Sequence, residues 1–118
     1  MERKTNMEVE ELIKQQKDGV DVARLKAGSE LSVKTHNSTY ILVTTKTPRE
    51  LYASGGKKIP KRQKVFLTGS TYGGSCIKLG WIGIDMHMEI WLDDKRRLLT
   101  SPVKSIRVIG NDWFYDLG

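Results

Sequence analysis

The chain has 118 residues, 38% hydrophobic and 29% charged, with 20 Lys and Arg against 14 Asp and Glu and a net charge of +6. This suits one domain with a single modest core and excludes disorder of the whole chain. The longest uninterrupted aliphatic run, Ile41-Leu42-Val43, is far short of the roughly 20 apolar residues of a membrane span, and a lone cysteine excludes an internal disulfide framework.

In chain order, Met7 to Lys17 reads as a short amphipathic helix, with Val9, Leu12 and Ile13 on one face, acids at its start and lysines at its end. The competing reading is a disordered or expression-related tail. Asp18 to Ser29 is a connector that Val22 and Leu25 are expected to dock. From Glu30 the period changes to two. Leu31 and Val33 alternate with polar residues, His36-Asn37-Ser38 turns, and Thr39 to Thr45 returns, which predicts a hairpin. Thr47-Pro48-Arg49 breaks the pattern. Leu51 to Ser54 is a short third strand ended by Gly55-Gly56. Pro60 lacks an amide donor, so the basic run around it is expected in a loop or at an edge. Lys64 to Thr68 is a fourth strand, with Val65 and Leu67 on one face.

Gly69 to Ser75 is predicted as a turn or wide loop, Cys76 to Ile82 as a fifth strand, and Met86 to Leu92 as a sixth. In the sixth, Met86, Met88, Ile90 and Leu92 face one way, and His87, Glu89 and Trp91 the other. Asp93 to Arg96 is a polar hairpin loop. Arg97 to Thr100 returns, Pro102 interrupts, and Val103 to Ile109 forms a last strand through Val103, Ile106 and Val108. The tail from Gly110 is aromatic and has no clear period. The division is a helix and connector over 1–28, a β-barrel domain over 29–110 and an aromatic tail over 111–118. Five glycines between Gly69 and Ile84 call for tight turns or bulges. The expected fold is all-β: a small SH3-like or Sm-like barrel of six to seven short antiparallel strands with a short N-terminal helix.

The segment from Leu67 to Ile90, followed by Thr100-Ser-Pro-Val-Lys-Ser-Ile106, resembles an uncharacterised group of small bacterial proteins. These carry a Gly-Ser-x-x-Gly-Gly-Ser segment, then a glycine-spaced strand, then a Thr-Ser-Pro/Arg-Val-like segment. The resemblance spans residues 30 to 109 and implies a β-barrel domain. It carries over no catalytic or binding residues.

The charge excess is local. Residues 1–28 and 65–118 each hold six acids and six bases, whereas 29–64 hold eight bases and two acids. Lys46, Arg49, Lys57, Lys58, Lys61, Arg62 and Lys64 form the main candidate surface, for nucleic acid or another polyanion, drawn in over a Debye length of about 8 Å. Tyr40, Tyr52, Phe66 and Tyr72 lie beside it in sequence, and small barrels bind single strands by stacking bases on aromatics within a cationic groove. The competing reading is a solvated loop that keeps the chain soluble. Trp91, Trp113 and Phe114, with Trp81 and Tyr115, form a second candidate, an interface for a partner or a second copy; the alternative is a small core under the tail.

Chemistry finds less support. Gly69 to Ser75 leads into a strand and lacks the Gly-Lys-Ser/Thr of a nucleotide loop, so a bulge or corner is the better reading. Cys76 with His36 or His87 has no supporting context, and Cys76 on a strand is expected to be buried. Asp85, Glu89, Asp93 and Asp94 are the acids for acid–base work, but Asp93 and Asp94 look like turn residues. No enzyme, metal or cofactor is expected. The amino terminus runs into acidic residues and reads as no signal peptide, and Cys76 fits a reducing compartment, so a soluble cytoplasmic protein off the membrane is expected. The functional expectation is a non-enzymatic binding or assembly module. A nucleic-acid-binding module on the 46–64 surface and a self-assembling scaffold on the tryptophan face are the specific alternatives.

Overall fold

Period-two hydrophobicity sets Leu31 and Val33, Tyr40 and Leu42, Leu51 and Ala53, Val65 and Leu67, and Met88 and Ile90 on one side of their strands, and all of them are buried. Each large side chain removed from water in this way contributes about 1.5–3 kcal/mol. The computed structural model describes residues 19–110. The predicted helix over 7–17 and the tail with Trp113 and Phe114 lie outside the described residues.

The strands are β1 (Gly19–Asp21), β2 (Glu30–Thr35), β3 (Thr39–Thr44), β4 (Glu50–Gly55), β5 (Ile59–Thr71), β6 (Lys78–Leu79), β7 (Trp81–Gly83), β8 (His87–Trp91) and β9 (Arg97–Gly110), with one 3-10 turn at Val22–Arg24. The main sheet runs β4-β3-β2-β9-β8-β5-β6, and β5 also pairs with β4. That extra pairing closes six strands into a ring, which protects edges that would otherwise recruit other chains. Every ladder is antiparallel. The short β1–β7 pair forms a separate sheet and sends Val20 and Ile82 into the same core. Val22 and Leu25 dock as expected. No helix among the described residues is long and apolar enough to cross a membrane.

Two strands are long because each serves two neighbours. β5 pairs with β4 from Ile59 to Phe66 and with β8 from Phe66 to Thr71. The predicted strand Lys64 to Thr68 is therefore the middle of a 13-residue element. Its first half pairs on one side only, so Pro60 and the basic residues beside it occupy an edge, as the missing amide requires. The register slips at Thr68, where Leu67 faces Ile90 but Gly69 faces Glu89. Such a bulge bends the strand. A Cβ on Gly69 would collide with the Lys78 carbonyl, so only glycine lets β6 lie so close.

β9 repeats the device. It pairs with β8 up to Pro102 and with β2 from Val103 onward. The predicted interruption at Pro102 is corrected to a change of partner within a 14-residue strand. Lys104 is the extra residue between Val103, opposite Thr35, and Ser105, opposite Lys34. That slip explains why Val103 and Ile106, three apart, both join the core.

Two further expectations are corrected. Gly69 to Thr71, predicted as loop, end β5, and Ser70 and Thr71 are buried. The predicted strand from Cys76 to Ile82 is split into β6 and β7 at Gly80, whose φ of 69° takes the chain round a corner that a side chain would strain. With that split the expected burial of Cys76 on a strand is corrected too: it precedes both strands and is exposed.

Candidate functional site

Residues that alternate with the core project from the outside of the ring. On adjacent strands the register joins Glu50 to Phe66, Phe66 to Trp91 and Trp91 to Arg97, a row crossing β4, β5, β8 and β9. Tyr52 faces Lys64, two residues from Phe66 on β5, and is therefore Phe66's diagonal neighbour. Tyr52, Phe66 and Trp91 thus form an aromatic strip across three strands. Phe66 is 40% and Tyr52 38% exposed, and Trp91 is half-buried.

Cations cover two of these rings. The Arg49 guanidinium lies 5.1 Å from the centre of Phe66, and that of Arg62 5.6 Å from Tyr52, within cation–π reach. Arg49 is aimed there by its backbone. Its φ is 67°, and its carbonyl accepts the Leu67 amide at 2.8 Å, extending the β4–β5 ladder past Glu50. The Trp91 Nε1 donates to Glu89 at 3.1 Å, and Arg97 donates to the other Glu89 oxygen at 3.3 Å. These bonds fix the plane of the indole and give the carboxylate at its edge a cationic partner.

A groove of about 510 Å³ opens along this row, lined by Glu50, Lys64, Val65, Phe66, Trp91, Leu92, Asp93 and Asp94. Its acids are not equivalent. Glu50 pairs with Lys64 at 3.6 Å. Asp93 accepts the Lys95 and Arg96 amides and the Arg96 Nε, and the first of these, helped by the guanidinium, holds its carboxyl below the ordinary value. Asp94 has no hydrogen bond or ion pair among the described residues.

Of the cations singled out from the sequence, Arg49, Arg62 and Lys64 stand beside the aromatics. Lys61 lies on the one-sided edge of β5, and Lys57 and Lys58 in the β4–β5 turn; none of these three has an ion pair among the described residues. Lys46 lines a separate cavity of about 220 Å³ between the 3-10 turn and the β3–β4 loop. Tyr40 is in the core, and Tyr72 is 71% exposed on the glycine loop. Trp81 is buried, with the Lys78 Nζ 3.6 Å over its ring, so it does not share a face with Trp91.

The remaining chemistry is satisfied locally. The Gly73 amide is taken by the Thr71 hydroxyl, which also donates within the loop to the Cys76 carbonyl, so the glycine loop folds on itself rather than opening as an anion nest. His87 Nδ1 lies 2.7 Å from the Thr100 carbonyl, which can only accept, so Nδ1 carries the proton. Among the described residues no three His, Cys, Asp or Glu side chains gather as a metal site. The gathering of Asp93 and Asp94 with Glu50 along one groove, and the register of Phe66 with Trp91, are not stated by the sequence. Only strand register brings them together, and the sole hint was that both rings sit opposite the core in their alternation. Comparison with protein-family models, curated proteins and solved structures returns no match.

Proposed function

We propose that this protein is a non-enzymatic binding module, a small barrel of SH3-like scale, that holds single-stranded nucleic acid across its outer face. The observation that carries this reading is the strip Tyr52–Phe66–Trp91 flanked by Arg49, Arg62 and Lys64. Bases stack on aromatic rings with little regard to sequence, worth about 1–3 kcal/mol per base, and a cationic margin follows the phosphates. Lys57, Lys58 and Lys61, without acidic partners among the described residues, extend that margin along the β5 edge. The small bacterial group resembled by the glycine-rich segment has no assigned activity and does not bear on the choice. The self-assembly reading rests on Trp91 together with Trp113 and Phe114, and the last two lie outside the described residues.

The test is fluorescence anisotropy with a labelled eight-nucleotide single strand at about 50 and 250 mM salt. Binding that weakens steeply with salt, and again in Phe66→Ala, is the expected result. No binding at the lower salt overturns the reading.

A further inference from the structure

The groove is polarised. Beyond the Phe66–Trp91 pair, Lys64, with Glu50 beside it, lies on the β5 wall of the groove, and the β8–β9 turn that follows Trp91 carries Asp93 and Asp94 along the facing wall. A nucleotide is polarised too, with an anionic phosphate at one end and, in cytosine, adenine and guanine, an exocyclic amine on the base edge. Uracil and thymine present a carbonyl oxygen at the position where cytosine carries its amine.

Resting on the nucleic-acid reading above, we propose that Asp94 selects for amino-bearing bases, accepting a hydrogen bond from the exocyclic amine of a base stacked on Phe66 and Trp91. Among the described residues Asp94 is the groove carboxylate with its oxygens uncommitted, because Lys64 engages Glu50 and the Asp93 oxygens are used by the turn and Arg96. An ionised carboxylate only accepts, so it complements the cytosine N4 amine and repels the O4 of uracil. The carboxylate costs phosphate affinity on its own side, which directs the backbone toward Lys64 and the β5 cations. Asp94 is thereby a specificity residue and Phe66 and Trp91 the platform.

The experiment compares fluorescein-labelled C8 and U8 RNA, two pyrimidine strands of equal length, with the wild-type chain at low salt and neutral pH. C8 is expected to bind about five-fold more tightly, the low end of what a base-edge contact supplies. Asp94→Ala removes the difference. Asp94→Asn, whose amide can donate to O4, raises affinity for U8. Asp94 is exposed, so both variants are expected to keep the wild-type unfolding midpoint. Equal affinity of the wild type for the two strands, or a preference that survives Asp94→Ala, overturns this assignment and leaves the general binding reading standing. Failure of both strands to bind removes the two together.

Discussion

Phe66 and Trp91 are direct register partners across β5 and β8, yet both stand on the outside of the ring. Apolar side chains so placed contribute little to the core and leave two aromatic rings outside it, that of Phe66 with the Arg49 guanidinium against it. The proposed binding role and stability are therefore separable at this pair.

Phe66→Ala is expected to weaken single-strand binding about ten-fold or more, the loss of one stacked base. Its cost to stability is about 1–2 kcal/mol, because the cross-strand pairing with Trp91 and the Arg49 contact are removed while the core is untouched. Anisotropy and urea denaturation on the same sample separate the two effects. A large stability loss with unchanged binding would reassign Phe66 to structure.

Replacing Lys57, Lys58, Lys61 and Arg62 together by alanine is expected to lower the slope of log affinity against log salt by about 3, at about 0.7 for each phosphate no longer neutralised. All single strands should weaken alike, since phosphate recognition carries no sequence information. Titrations at four salt concentrations read the slope. An unchanged slope would show that these cations stay in water when the ligand binds.

Met88→Ala removes a fully buried side chain from the ring interior and is expected to cost about 2–5 kcal/mol by equilibrium denaturation. Gly69→Ala is expected to cost roughly 2–4 kcal/mol by a different route, the collision with the Lys78 carbonyl that forces β6 off β5. Hydrogen exchange tells them apart. Met88→Ala speeds exchange throughout the ring, whereas Gly69→Ala acts first on the amides near β6.

Asp93 supplies a pH dependence. Its folded carboxyl titrates below the ordinary 3.8, held down first by the Lys95 amide and then by Arg96. The contribution to stability is thus fully present above the unfolded value and is lost as pH falls through the lowered one. Carboxyl carbon NMR should find Asp93 titrating below a reference aspartate, and Arg96→Ala should move it back up. A normal value in the wild type would mean that the turn bonds are absent in solution.

The alternating segments were legible in the sequence because a half-buried strand records its burial in every second residue, as Met86 to Leu92 does. Pro60 at an edge followed from its missing amide. Pro102 misled for the same reason: it has no donor, but it sits where β9 leaves β8 for β2, and there its carbonyl alone is used, by the His36 amide. Gly80 hid a corner inside what read as one strand. The cationic run was visible as composition, but its union with Trp91 was not. That union depends on the pairing of β5 with β8, and no local pattern states which distant residues face each other. The burial of Trp81 was equally hidden, since it follows from the β1–β7 ladder formed by a segment read as a connector.

The β2–β9 ladder, from Glu30 opposite Gly110 to Thr35 opposite Val103, joins the earliest and the latest strand of the ring in chain order. While the chain leaves the ribosome, β2 has β3 along one margin and nothing along the other until β9 emerges. That nascent margin, carrying Leu31 and Val33, is a docking place for other unfinished chains, and chaperone demand should peak just before β9 is synthesised.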